Sequence, residues 1–269
     1  MLDAAPLIPM QRAKGRAHAA FALKGGTRLA DLRQQGSAKV LLPRVAGDRP
    51  ELVFLNTSGG LTGGDLLELS LDLAPGTKLS ATTQTAERAY QSPGPAAQVC
   101  FRARVQAASL HWLPQETILF QDSHLTRSTE IDLSGEAEVL LCESLVLGRH
   151  AMGETLTRAR LTDSRMIRRD GVPVWAEGQM LSPETLSRPV LLGGATAFGV
   201  LALVARGAED IPRPPQTEGA RLELSAWDGR ALIRIAASSG FALRRQMAAV
   251  ITQLSGRALP RVWASGGTP

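Results

Sequence analysis

Cysteine is nearly absent from this sequence: two residues in 269, Cys100 and Cys142. A pair so widely separated excludes a disulfide scaffold and a thiolate zinc site. Each falls inside an apolar, strand-like run, which reads as a buried free thiol. Aromatic side chains are scarce too, at 4%, too few to pave a nucleic-acid groove or a sugar platform. Lysine accounts for only four of the 30 basic residues, so arginine carries the formal net charge of +5. Those arginines are scattered, and only Arg158–Arg160, Arg165–Arg169 and Arg244–Arg245 approach a cluster. The pattern fits a solvated or protein-facing basic surface and argues against a nucleic-acid partner. No apolar run reaches the ~18–20 residues of a membrane-spanning helix. The longest candidate, Ala195–Ala205, is short and β-like. At the N-terminus the basic residues follow a short apolar patch, the reverse of a secretory signal. A cytoplasmic protein without a membrane partner is expected.

What the chain has in abundance is period-two patterning. Leu67, Leu69, Leu71 and Leu73 alternate with Glu68, Ser70 and Asp72, the mark of a half-buried strand. Val99, Phe101, Ala103 and Val105 repeat it. Leu125–Leu133 is polar with β-branched residues near its ends. Glu138–Leu147 is almost continuously apolar, as in a strand covered on both faces. Further strands are expected at Lys78–Ala81, Thr157–Leu161, Arg165–Arg169, Val172–Ala176, Val190–Leu192, Val200–Val204, Leu222–Ala226 and Ala231–Ala236. Asp170-Gly171 and Asp228-Gly229 between such runs are hairpin signals.

One helix closes the chain, with Leu243, Met247, Val250, Ile251 and Leu254 on one face. Ser238 or Ser239 serves as its cap and Gly256 as its stop. The Pro-rich stretch Glu209–Gly219 can set off a sub-unit at 220–269 within one domain spanning 1–269.

The motifs give no enzyme. Asn56-Thr-Ser-Gly-Gly-Leu-Thr-Gly-Gly-Asp65 lacks the Gly-Lys-Ser/Thr of a phosphate loop, and a strand rather than a helix follows it. It reads as a sharp turn, with Asp65 either a turn residue or a carboxylate ligand. His18, His111, His124 and His150 show no zinc-ligand spacing, and His111 reads as a satisfied structural histidine. No nucleophile elbow occurs. Glu87 and Arg88 read first as a surface ion pair, and Gln115 and Glu116 as turn residues. Glu143 interrupts an apolar strand, where a buried carboxylate needs a proton, a metal or a partner such as Arg149. Glu177 repeats that pattern more weakly after Val172–Ala176.

Taken in order, several segments resemble the urease accessory protein UreD (UreH) family. They are Asn56–Asp65, Thr82-Thr-Gln-Thr-Ala-Glu-Arg-Ala-Tyr-Gln-Ser92, Trp112-Leu-Pro-Gln-Glu-Thr-Ile-Leu-Phe120, Leu147-Gly-Arg149 with Met152-Gly-Glu-Thr155, and Leu259-Pro-Arg-Val-Trp263. The likeness runs from about His18 to Trp263. It departs between Pro189 and Arg221, which is Gly/Ala-rich and then Pro-rich where the family suggests a longer, partly helical segment.

The resemblance implies a mainly β fold, an irregular stacked or helical arrangement of many short strands with a C-terminal helix. It implies a non-catalytic part in nickel urease maturation. The partners implied are apo-urease, UreF and, through UreF, the GTPase UreG. No cofactor is tightly bound; Ni²⁺ passes in transit through an internal polar tunnel. Asp65, Glu87, Glu143 and Glu177 match the tunnel positions, and widely spaced carboxylates without histidine or thiolate hold Ni²⁺ weakly. Around Arg244–Leu254 the helix is expected to contribute to UreF contact. Two rival readings are a scaffold in the same complex and a carboxylate-based, carbohydrate-active β-helix.

Overall fold

A computed structural model describes residues 11–149 and 153–264 of the chain. A hairpin of β1 (Lys14–Leu23) and β2 (Thr27–Gly36) and a short β3 (Ala38–Leu41) lead into a coil that winds between two sheets. β4 (Glu51–Asn56) lies in the second sheet and β5 (Leu66–Leu73) in the first. β6 (Lys78–Thr83) and β7 (Glu87–Ala89) return to the second, and β8 (Ala97–Gln106) to the first. β9 (Ser109–Trp112), β10 (Thr117–Leu119) and β11 (His124–Ser134) repeat the path, and β12 (Glu138–Leu147) and β13 (Arg160–Arg169) complete it. Successive strands pair in parallel, β1–β5–β8–β11–β13 on one side and β4–β6–β9–β12 on the other. Parallel pairing without crossover helices is the geometry of stacked coils, the stacked arrangement that the resemblance implies.

Antiparallel strands finish both sheets. β14 (Val172–Leu181) pairs with β13, while β15 (Ala197–Val204), β16 (Ala220–Trp227) and β17 (Arg230–Ala237) extend the second sheet from β12 in the order β15–β17–β16. Asp170-Gly171 and Asp228-Gly229 make the expected tight turns, all four residues at positive φ, the requirement of a type I′ hairpin. Two sequence expectations fail locally. Val190–Leu192 is not a strand but part of a single helical turn, α2 (Pro189–Leu192), which follows α1 (Pro183–Leu186). Pro189 pre-sets the helical φ, and Gly193 at φ 55° ends the turn. Thr157–Leu161 becomes strand only from Arg160, because the Gln121 side chain captures the backbone N–H groups of Thr157 (3.1 Å) and Arg158 (3.4 Å).

The main core fills the space between the sheets. Leu67, Leu69, Leu71 and Leu73 of β5 all face it, each contributing about 2 kcal/mol of burial. A second cluster lies outside the second sheet, beneath α3 (Gly240–Ser255). Leu140 and Cys142 of β12 meet Leu243, Met247, Val250 and Ile251 there. β12 is therefore covered on both faces, which its continuous apolar run required. Ser239 caps α3 by accepting the Ala242 N–H at 3.1 Å, and Gly256 terminates it in the left-handed conformation. Gly199 lets the helix approach closely: a Cβ there would stand 2.8 Å from Met247 Sδ. A last turn, α4 (Arg261–Ala264), ends the described chain. Cys142 is buried as expected, whereas Cys100 is half-exposed.

Candidate functional site: an interior polar seam

Two strands of the first sheet carry charge inward. In β13, Asp163 and Arg165 stand on the same face as Leu161 and Ile167. In β11, Arg127 and Thr129 stand on the same face as Leu125, Ile131 and Leu133. Glu143 of β12 faces them from the opposite sheet. Its Oε2 accepts from Arg165 Nε at 2.7 Å and lies 3.4 Å from Arg127 Nη2, and its Oε1 accepts from the Thr129 hydroxyl. Arg127 grips Asp163 with two nitrogens, at 3.0 and 2.6 Å, the bidentate geometry that makes such pairs strong. Arg165 also donates to Asp163 and lies 3.5 Å from Glu177 of β14. Glu177 in turn accepts from Arg234 of β17 at 3.1 Å.

Burial alone would push the Asp163 carboxyl up, but the Arg127 and Arg165 guanidinium groups outweigh it and hold it below the usual range. Burial would likewise lower Arg127; Asp163 and Glu143 reverse that and hold it above the ordinary arginine value. One guanidinium, that of Arg165, thus touches Glu143, Asp163 and Glu177 at once. The seam opens outward into a cavity of about 210 Å³ lined by Glu143, Arg165, Glu177, Phe198 and Arg234. Inward it continues to the Thr117 hydroxyl, which accepts from Arg127 Nη1 at 3.1 Å.

Thr117 is the register partner of Glu87 on the neighbouring parallel strand. Glu87 is half-buried, and burial raises its pKa to about 7 against the opposing pull of hydrogen bonds from Asn56 and its own strand. Asn56 Nδ2 approaches both its oxygens at 3.3 Å. Glu87 forms no ion pair with Arg88, contrary to the sequence reading. A small cleft of about 50 Å³ opens beside it, lined in part by Asn56, Gly60 and Thr83.

Asp65 stands apart from the other three carboxylates. It accepts the Thr62 N–H at 2.8 Å and the Ala13 N–H at 2.7 Å, so it closes the glycine-rich turn and ties the first strand to it. Gly60, at φ 145°, sits in that turn where a Cβ would come within 2.3 Å of the Tyr90 ring. Sequence reasoning thus found Glu143 and Glu177, which the fold joins through Arg165, but missed Arg127, Thr129, Asp163 and Arg165. The available signal was strand parity, which places each of those residues on an apolar face. Arg149 pairs with Glu154 at 3.0 Å rather than with Glu143. His150 and Met152 lie outside the described residues.

A second convergence lies at the C-terminal end. Leu113 carbonyl accepts from Thr82 Oγ1 at 2.6 Å and from Trp263 Nε1 at 2.9 Å. Arg244 of α3 donates to Gln115 (2.6 Å), Glu116 (3.1 Å) and the Trp263 carbonyl (2.8 Å), with its guanidinium 4.9 Å over the Trp263 ring. Gln115, read from the sequence as a turn residue, is buried in this clasp. Segments far apart in sequence, Thr82–Ser92, Trp112–Phe120 and Leu259–Trp263, are therefore partners in space.

The family model described as UreD urease accessory protein matches residues 13–264. A protein of Cereibacter sphaeroides strain ATCC 17025, named urease accessory protein UreD, is 50% identical over 263 residues, covering 94% of this chain and 96% of its own. One of Jannaschia sp. strain CCS1 with the same name is 47% identical, covering 98% and 99% respectively. A third, from Rhizobium leguminosarum bv. trifolii, is 42% identical with the same coverage.

Proposed function

This chain belongs to the UreD urease accessory protein family, and from that premise we propose that it passes Ni²⁺ toward the active site of apo-urease in the cytoplasm. In this reading it binds apo-urease and UreF and reaches UreG through UreF, without catalysing a reaction itself. The observation that carries the conduit is the interior seam. Charged and hydroxyl groups run from the cavity at Glu177 and Arg234, past Glu143 and Asp163, to Thr117 beside Glu87. Carboxylate oxygens are hard ligands that hold Ni²⁺ less tightly than imidazole or thiolate. Here guanidinium groups compete for the same oxygens, so an arriving cation exchanges against Arg165 and Arg127 rather than settling. Glu87 releases a proton as it takes up the cation, while Asp65, held by the Thr62 and Ala13 N–H groups, stands apart from this run and closes the glycine-rich turn. The exposed side of α3, including Phe241, Arg245 and Gln253, offers the UreF contact.

A specific observation favours a second reading. Glu143 is already matched by two arginines and a threonine, as a purely structural group in a scaffold would be. Co-expression with urease and its accessory proteins separates the two. Glu143→Gln is chosen because it keeps the side-chain shape. In a complex shown intact by pull-down, the conduit expects urease activity and nickel content to drop at least about tenfold. Undiminished activity would leave a scaffold.

A further inference from the structure

We propose that a separate cavity, between the 42–50 loop and the turn joining α3 to α4, is a binding site for a small phosphate-class oxyanion. The cavity has a volume of about 390 Å³, within the size of ordinary small-ligand pockets. Arg49, His111, Arg257 and Arg261 line it, with Leu113 and Ile251 among its apolar walls; Glu51 is the acidic member, and its buried Oε2 has no hydrogen-bond partner among the described residues.

The decisive residue is Arg49. It donates to the carbonyls of Leu79 (3.0 Å) and Ser109 (2.9 Å) and to the Ser109 hydroxyl (2.8 Å). Among the described residues no carboxylate pairs with it, and its buried Nε–H has no partner. Poorly solvated charges are ordinarily paired; Asp48 and Glu138 act on half-buried Arg49 only through space, while Arg257 adds positive charge beside it. Arg257 is shared with Asp48 at 2.6 Å, but Asp48 is also held by Lys78. Arg261 donates to the Arg44 carbonyl at 3.1 Å, which holds its guanidinium at the cavity wall.

The field inside the cavity registers this excess. Burial, with repulsion from Arg257, pulls Arg49 down to about 10. Burial, with repulsion from Arg49 and Arg257, drives His111 down to about 3, so the ring stays neutral. His111 is expected from the sequence to be a satisfied structural histidine, but its ring has no hydrogen bond to the described residues and borders the cavity instead. An oxyanion lodged here supplies the paired counter-charge that Arg49 lacks among the described residues and accepts charge-assisted hydrogen bonds from the guanidinium groups. Nickel transfer plays no part in this inference, which stands or falls on binding alone.

The test uses the full chain and inorganic phosphate as probe. Thermal unfolding is followed during a phosphate titration, against sodium chloride at matched ionic strength. A saturable rise in Tm beyond the chloride effect is expected. Arg257→Gln and Arg261→Gln should each weaken the apparent affinity about tenfold. Arg102→Gln, on the outer face of the first sheet, should leave it unchanged. By NMR, the His111 titration should move to higher pH when phosphate is bound, because the anion offsets Arg49 and Arg257. Absence of saturation, or equal weakening by Arg102→Gln, would overturn the assignment.

Discussion

Removing Glu143 alone should destabilise the protein nearly as much as any single core replacement, whereas removing Glu143 together with Arg165 should cost less than the two changes added. The inner four charges, Arg127, Arg165, Glu143 and Asp163, balance, and none of their side chains is more than 8% exposed. Glu143→Ala leaves two guanidinium groups facing one carboxylate and strips Arg165 Nε and the Thr129 hydroxyl of their acceptor. Breaking one side of a buried pair costs about 3–5 kcal/mol, because the remaining charge has no water to turn to. Arg165→Met belongs in the same range, since Glu143 and Asp163 must then share Arg127 while Glu177 keeps Arg234. The double replacement removes one charge of each sign and leaves the bidentate Arg127–Asp163 pair whole. Its cost should fall short of the sum by about 2–3 kcal/mol, the upper range of coupling between contacting residues. Urea unfolding of the four proteins measures this: with an unchanged slope, the midpoints convert directly to free energies. Additivity within about 0.5 kcal/mol would refute the view that these charges act as one unit.

Three further expectations follow from particular contacts. Burial holds Glu87 at about 7 in the folded protein, above its unfolded value of about 4.3. Its contribution to stability is therefore fully present below about pH 4 and is lost as pH rises through 7. Glu87→Gln should flatten that slope and stabilise the protein at pH 8 by on the order of 3 kcal/mol, read from urea midpoints between pH 4 and 8. Gly60→Ala should cost at least about 2 kcal/mol more than Gly59→Ala, because both sit at positive φ but only Gly60 has no space for a Cβ; equal midpoints would contradict the contact with Tyr90. Trp263→Ala should cost about 3–5 kcal/mol, since it removes a buried ring, the hydrogen bond to Leu113 and the stacking of Arg244. Hydrogen exchange should then quicken in the last turns of α3.

Sequence by itself determined the local elements. Alternation at β5 and β8, continuous apolarity at β12, Asp-Gly at two hairpins and the capped amphipathic α3 were all legible, because each is fixed by neighbours within a few residues. So was the family, whose motifs survive as short runs in order. Failures were local where a distant group intervened, as when Gln121 holds Thr157 and Arg158 out of strand, or where a proline turned three apolar residues into a helical turn. What only the tertiary structure decided is who meets whom. Glu143 could be flagged as a carboxylate in apolar surroundings, yet its partners come from β11 and β13, 14 and 22 residues away in the chain. Parity put Arg127, Asp163 and Arg165 on buried faces, but nothing local said that those faces look across a gap at Glu143 rather than at solvent. Likewise Arg49 is one arginine among many until the fold sets it beside Arg257, more than two hundred residues on. A buried charge is governed by what stands opposite it in space, and the coil of parallel strands brings remote residues opposite one another through register, a property of the stack and not of any one strand.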